Sequence, residues 1–288
     1  MKISAQMPMN KKININGQLL ELSRPLVMGI LNITPDSFYE ASRLSTDKDI
    51  LSRAAEMIAS GADILDIGGY SSRPGADNIE EKEELDRVTG ALSILRKEFP
   101  TAVLSLDTFR SSIADIAVSH YGVNMINDIS GGGLDSGMFS VIAKHNVPYI
   151  LMHMKGIPRN MHIKPVYEDI VAELLKWFSE KKQELVLLGV KDIIIDPGFG
   201  FGKTIEHNFI LLNNLERFSI LNLPLMAGLS RKSLVWKSLG ISPGESLAGT
   251  VVLNTIALVK GASILRVHDV TEARQTVKLL DRLNKGSV

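Results

Sequence analysis

Eight short apolar runs, near residues 26 to 31, 62 to 67, 102 to 106, 123 to 126, 147 to 152, 191 to 195, 223 to 227 and 262 to 267, alternate along this chain with longer segments of helical period. Those segments include 49 to 60, 81 to 98, 110 to 120, 167 to 188, 206 to 217 and, after the last run, 270 to 283. A strand followed by a helix returns the chain to the same edge, so a repeat of this kind builds parallel strands. The runs are apolar at nearly every position, as strands covered on both faces must be. Eight such units predict a (β/α)8 TIM barrel, with an open doubly wound sheet as the structural alternative. Ahead of them, Ile13 to Leu22 alternates apolar and polar residues around Asn16-Gly17, a pair at ease at positive φ, and predicts a short N-terminal β-hairpin.

The 288 residues contain no linker-like stretch. Length alone allows one domain or two, but α/β barrels reach this size as a single unit, so one domain over residues 1–288 is expected. Lys plus Arg equals Asp plus Glu at 32 each, which leaves no global field to attract nucleic acid, and any phosphate ligand must be met by a local cluster. The absence of cysteine excludes disulfides, thiol nucleophiles and thiolate metal sites. The opening MKISAQMPMN lacks an apolar signal core, and no run approaches the roughly 18 apolar residues of a membrane span, so a cytoplasmic protein without membrane association is expected.

Polar residues interrupt the scheme at one recurring place. Each apolar run ends in, or is closely followed by, groups foreign to a core: Asn32, Asp66, Asp107, Asn127, His153, Asp196, Ser230-Arg231-Lys232, and Arg266 with His268. One Asp or Asn at a strand end is ordinarily a helix cap or a turn residue. Eight such ends in one barrel share a face, the C-terminal mouth where barrel enzymes place their chemistry. Arg266 and His268 precede a helical segment and make an anion site, with a carboxylate-paired Arg and a core His as the competing reading. Arg73, in a loop of Gly and Ser, adds a second guanidinium, which suits a diphosphate. Asp107, Asn127 and Asp196 are suited to pairing with ring nitrogens and exocyclic amines of a heterocycle, and Lys232 to a ring carbonyl.

Two nucleotide signatures fail. Gly198 to Thr204 ends in GKT, but Pro197 stands where a phosphate loop requires its first Gly, and Lys203 stands where a dinucleotide fingerprint requires its third. The segment is then expected to be a flexible loop with Phe199 and Phe201 free to flank an aromatic ligand, or else packed down by them. Gly131-Gly132-Gly133 is expected to keep the mouth open. His120, His145 and His207 fall in helical segments as surface residues, and His153 and His162 are not at metal-ligand spacing.

Met28-Gly-Ile-Leu-Asn32-Ile-Thr-Pro-Asp36-Ser-Phe38 and Asp66-Ile-Gly-Gly-Tyr-Ser-Ser-Arg73-Pro-Gly75 resemble the two signature segments of dihydropteroate synthases. The resemblance continues in order through Ser105-Leu-Asp107-Thr, Ile126-Asn127-Asp128-Ile, Leu151-Met-His153-Met, Asp196 to Lys203, Gly228-Leu-Ser-Arg-Lys232-Ser and Ile264 to Val270. It implies an α/β barrel transferase of folate biosynthesis that condenses 6-hydroxymethyl-7,8-dihydropterin diphosphate with p-aminobenzoate. It further implies that Asp107, Asn127, Asp196 and Lys232 hold the pterin, that Ser72, Arg73, Arg266 and His268 hold the diphosphate, and that Asn32 ligates Mg2+. Phe38, Pro74, Phe201 and Ser230 would line an arylamine pocket open to sulfonamides, and a homodimer is implied by relatives that pair through barrel helices.

Two departures stand out. Tyr39-Glu40-Ala41-Ser42 replaces the family's usual Ser-Asp-Gly-Gly, so that Glu40 takes the place of an Asp able to approach the metal. Tyr70 stands where Glu is common and Ser72 where Thr is common. Three rivals stay open: a pterin-dependent methyltransferase barrel, a pterin-binding paralogue without turnover, and a phosphosugar isomerase or aldolase using Lys232.

Overall fold

The computed structural model describes residues 12–33, 46–70, 79–157, 161 and 165–285. Strands β1 (Lys12–Ile15) and β2 (Gln18–Glu21) form the expected antiparallel hairpin. Its turn residues Asn16 and Gly17 sit at φ 50° and 84°, the pair of positive values a two-residue turn between twisted strands demands. The Asn14 side chain accepts the Gly17 N–H at 2.7 Å.

Eight parallel strands follow: β3 (Leu26–Asn32), β4 (Ile64–Gly68), β5 (Leu104–Asp107), β6 (Met125–Asp128), β7 (Tyr149–Met152), β8 (Ile193–Asp196), β9 (Met226–Ala227) and β10 (Ile264–Val267). They pair in the order β8-β7-β6-β5-β4-β3-β10-β9. A parallel bridge between Ile195 and Leu225 joins the two ends, with Ile195 N donating to Pro224 O at 2.9 Å. The sheet is therefore a closed barrel, which removes the doubly wound alternative. Around it lie α1 (Asp47–Ala59), α2 (Glu81–Glu98), α3 (Ser111–Tyr121), α4 (Met138–His145), α5 (Ile170–Leu187), α6 (Ile205–Asn213), α7 (Ser233–Leu239), α8 (Leu247–Val259) and α9 (Val270–Lys285). Most strands begin about two residues after the apolar run that announces them. Residues such as Val123, Val147 and Ala262 are buried ahead of the strand, apolar because they are covered rather than because they are laddered.

Side chains alternate across each strand with period two. Outward residues such as Leu65, Leu106, Ile126, Leu151, Ile195 and Leu265 pack against the helices in one large core. Inward residues at the N-terminal end, Leu26, Met28, Ile64, Met125, Ile150, Ile194, Met226 and Ile264, form a second core along the barrel axis. The hairpin closes that end by inserting Ile13, and Leu22 just after β2 joins it; they are 1% and 2% exposed. Asn14 N reaches Asp192 Oδ1 at 3.2 Å and ties the hairpin to the start of β8.

The glycine run after β6 does not hold the mouth open. A Cβ on Gly131 would lie 2.5 Å from the Trp177 ring, and one on Gly132 would lie 2.5 Å from the Phe139 ring, so both glycines allow helices α4 and α5 to press against the loop. Among the described residues no helix is long and apolar enough to cross a membrane.

Because Ile13 has no partner outside the axial core, Ile13→Ala removes the hairpin's main anchor. It should cost about 2 to 4 kcal/mol of stability, read from a denaturant midpoint shift, while turnover per folded molecule stays unchanged.

Candidate functional site

Two residues further along the inward rows, the axis changes from apolar to polar. Ile64 is succeeded by Asp66, Met125 by Asn127, Ile194 by Asp196, Met226 by Gly228 and Ile264 by Arg266, while Ser105 and Asp107 continue β5. The same period that fills the lower barrel with hydrocarbon thus brings these groups to one mouth.

Arg266 joins them. Its Nε donates to Asp66 Oδ2 and its Nη2 to Asp107 Oδ2, both at 2.6 Å, and Asn127 Nδ2 donates to the same Asp66 oxygen at 3.0 Å. Burial disfavours the charge on Arg266, but Asp66 and Asp107 outweigh it and raise its pKa. Burial pushes Asp107 up to about 7, helped by Asp66, Glu84 and Asp128 and opposed by Arg266. Arg266 is thus shared between two carboxylates, and its charge only partly offsets the effect of burial on Asp107. Asp66 is fully buried; its Oδ1 and the Oγ of Ser105, its register neighbour on β5, find no protein partner.

Across the mouth, Asp196 accepts Gly198 N at 2.8 Å, and burial raises its pKa against the pull of Lys232. Burial lowers Lys232 to about 8, with Asp196 opposing that shift. Lys232 Nζ donates to Phe199 O at 2.5 Å and lies 4.7 Å from the centre of the Phe201 ring. Lys232 Nζ, Asp196 Oδ2 and Arg266 Cβ all lie within 4.0 Å of the point where a Cβ on Gly228 would sit, so this glycine keeps a polar-walled space open at the axis.

His268 follows β10, 9% exposed. Ser230 Oγ accepts its backbone N–H at 3.2 Å and lies 3.2 Å from its Nδ1. Burial, with Arg266, Arg231 and Arg53 adding to it, lowers its pKa to about 3, so the ring is neutral. Arg53 from α1 donates to the His268 carbonyl at 2.9 Å. Asn32 ends β3, its Oδ1 3.2 Å from the point a Gly68 Cβ would occupy, with Asp107 Oδ2 4.0 Å from the same point.

The Ser230-Arg231-Lys232 triplet divides. Ser230 and Lys232 face the mouth, whereas Arg231, at φ 52°, turns to Asp269 with two contacts of 2.9 Å. The two phenylalanines divide as well: Phe199 is fully buried in the outer core and packs the loop down, while Phe201 is half-buried beneath Lys232. The loop they sit on is tied by side-chain hydrogen bonds rather than loose. Thr204 of its GKT end is the N-cap of α6, its Oγ1 accepting His207 N at 3.1 Å while Thr204 N donates to His207 Nδ1 at 3.2 Å. His145 likewise meets Asp115 at 2.5 Å, so two of the three surface histidines are engaged.

The mouth therefore brings together Asn32, Asp107, Asn127, Asp196, Phe201, Lys232, Arg266 and His268. Ser72 and Arg73 lie outside the described residues, as do Phe38, Tyr39 to Ser42 with Glu40, Pro74 and His162. Arg53 and Lys203 were not singled out from sequence. Arg53 is one more basic residue in a helical segment and carries no signal. Lys203 sits in a phosphate-loop pattern that fails at Pro197, and nothing in that pattern says that its side chain is buried.

A family model described as pterin binding enzyme matches residues 28–268. The chain is 42% identical over 268 residues to the dihydropteroate synthase of Bacillus subtilis (strain 168), spanning 92% of this chain and 91% of the relative. It is 38% identical over 272 residues to that of Escherichia coli (strain K12), spanning 94% and 95%. The crystal structure of Yersinia pestis dihydropteroate synthase with a sulfonamide drug superposes with a TM-score of 0.91 at 37% identity, covering 96% of this chain and 100% of that one. The Xanthomonas albilineans dihydropteroate synthase with 4-aminobenzoic acid superposes at 0.87 with 36% identity, covering 97% and 99%. Barrel and polar mouth together thus define a pterin-binding barrel enzyme. Within that class, the chain belongs to the dihydropteroate synthase family.

Since the folded-state pKa of Asp107 lies above its ordinary value of 3.8, its proton stabilises the fold. That contribution is fully present below the ordinary value and is lost as pH rises through about 7. Asp107→Asn should flatten the fall of the thermal midpoint across this window; a variant that keeps the wild-type slope would assign the slope to another group.

Proposed function

We propose that this chain condenses 6-hydroxymethyl-7,8-dihydropterin diphosphate with p-aminobenzoate to give 7,8-dihydropteroate and diphosphate. The observation that carries the reading is that Asp196 and Lys232 border the space beside Gly228 together with Arg266, which binds Asp107, shares Asp66 with Asn127 and stands near His268. Carboxylates and an amide accept from and donate to the pterin's ring nitrogens and amine, and Lys232 meets its carbonyl. Two N–H groups of Arg266 are used by Asp66 and Asp107, and the rest of the fork serves phosphate oxygens, with His268, Ser72 and Arg73 completing the diphosphate set.

Asn32 is the residue that would hold Mg2+. Its carboxamide oxygen opens toward the cradle beside Gly68 and Asp107, and a single protein ligand suits an ion that retains water and binds substrate phosphates. When bound, the ion supplies positive charge to the departing diphosphate. The arylamine is a weak nucleophile, so the residues act by stabilising charge that develops on the leaving group before attack, and no protein nucleophile is required. Lys232, over the Phe201 ring, is engaged with a backbone carbonyl and that ring, which fits pterin and arylamine recognition better than a Schiff base.

Phe201 and Ser230, with Phe38 and Pro74, would form the arylamine pocket. We place the protein in the cytoplasm as a homodimer; exposed Leu239 on α7 and Val252 on α8 supply apolar surface for the pairing.

Incubation with the pterin diphosphate, p-aminobenzoate and Mg2+ should yield dihydropteroate by mass, and its absence with folded protein would reject the reading. Asp196→Asn exchanges an acceptor for a donor in a buried pair and should cost about 1 to 3 kcal/mol of pterin affinity by calorimetry. Sulfonamides should compete with p-aminobenzoate and bind only after pterin and diphosphate or Mg2+; inhibition that p-aminobenzoate cannot reverse would exclude a shared pocket.

A further inference from the structure

The loop from Gly198 to Lys203 carries Phe201, and side chains from four other segments hold its backbone. Asp196 Oδ1 accepts Gly198 N at 2.8 Å and Asn208 Oδ1 accepts Gly200 N at 2.7 Å. Lys232 donates to Phe199 O at 2.5 Å, and the Tyr167 hydroxyl donates to Gly202 O at 2.9 Å. The carbonyl of Phe201 itself goes to Lys203, whose Nζ lies 2.9 Å away.

Lys203 takes no part in the chemistry proposed above, yet its side chain is 6% exposed. It turns beneath the loop to the end of β7, where Nζ lies 3.1 Å from His153 Nδ1 and donates to His153 O at 3.2 Å. Three acceptors from two loops therefore surround one ammonium, which has three N–H groups to give. His153 can accept because its ring is neutral: burial, then Lys203 and Lys155, lower its pKa to about 2. The ring is fixed from the other side by an edge-on contact with Trp177 at 5.1 Å and 88°. The two loops are in backbone contact. A Cβ on Gly198 would come 2.0 Å from His153 O, and one on Gly202 would come 2.3 Å from Lys155 O.

A cation in such a place is costly. Burial disfavours its charge, Lys232 and Lys155 repel it, and Asp196 alone among its charged neighbours favours it. An apolar side chain of similar volume would fill the gap without that cost, so the lysine is better explained by the geometry it imposes than by stability. Resting on the reaction assigned above, we propose that Lys203, with His153, is a positioning residue that sets the Phe201 ring against Lys232 as the wall of the arylamine pocket. It acts through the Phe201 carbonyl and touches neither substrate.

The test is a double-mutant cycle on purified full-length enzyme, after wild type has been shown to form dihydropteroate; a wild type without that activity would reject the reaction and not this inference. Lys203→Met removes all three donors at similar volume. It should raise the KM for p-aminobenzoate about tenfold, the usual scale for a charged hydrogen bond, while the Kd of the pterin substrate moves less than about threefold on the same scale. In a Phe201→Ala background the same change should have little further effect, since the ring it positions is gone. Additive losses in the cycle, or a pterin Kd that moves as far as the KM, would overturn the proposal. If Lys203→Met does not fold, Lys203→Gln keeps donors to part of the acceptor set, and its cycle with Phe201→Ala decides the question by the same criterion.

Discussion

The mouth of this barrel depends on one partly buried cation held between two carboxylates. Arg266 reaches from β10 to Asp66 on β4 and Asp107 on β5, with β3 lying between them in the sheet. Without the guanidinium, Asp66 would be a fully buried carboxylate whose only described side-chain donor is Asn127, a state that costs several kcal/mol by general experience with broken buried pairs. Without the carboxylates, Arg266 would be a charge in the axis of a closed barrel. The three strands are thus tied to one another, and Asp107 and Asn127 are held at the same mouth as Arg266, which borders the space beside Gly228.

This arrangement divides the barrel along its length. The lower half is an apolar core sealed by the hairpin, to which seven of the eight barrel strands contribute a hydrocarbon side chain and to which Val103, just ahead of β5, adds another. The upper half is a polar layer in which burial acts on Asp107, Asp196, Lys232, Arg266 and His268. Asp107 and Asp196 are pushed up, Lys232 and His268 are pushed down, and Arg266 is pushed up by its partners in spite of burial. Desolvation brings Asp107 and Lys232, an acid and a base far apart in water, to about 7 and about 8, which is useful where neutral and charged donors must face one heterocycle.

Tyr70 follows β4, and its ring meets Phe109 edge-on at 5.2 Å with the Arg110 guanidinium 5.7 Å from its centre. Arg110 in turn donates to the buried Glu84 at 2.7 Å, and Glu84 accepts Thr108 Oγ1 at the same distance. The carboxylate that anchors this region therefore comes from α2, and aromatic packing braces the residue that precedes Ser72 and Arg73.

Eight apolar runs with polar ends, spaced by helical segments, determined eight parallel strands with their polar ends on one face, and the alternation around Asn16-Gly17 determined the hairpin, because strand period and strand direction are local properties written in residue order. Closure into a barrel was decided by the meeting of β8 and β9. The sequence by itself also determined that Asn127, Asp196, Lys232 and Arg266 would share a face. It could not determine partners. Which carboxylate meets Arg266 depends on barrel closure, which sets β4 and β5 within reach of β10 across more than 150 positions of chain. The fates of Phe199 and Phe201 diverged for the same reason, since two residues of equal hydrophobicity were sorted by what lay above and below the loop. Lys203 is the clearest case: its neighbours in the chain give only a failed phosphate-loop match, and only the approach of β7, backbone against backbone at Gly198, shows that its three donors are already used inside the protein.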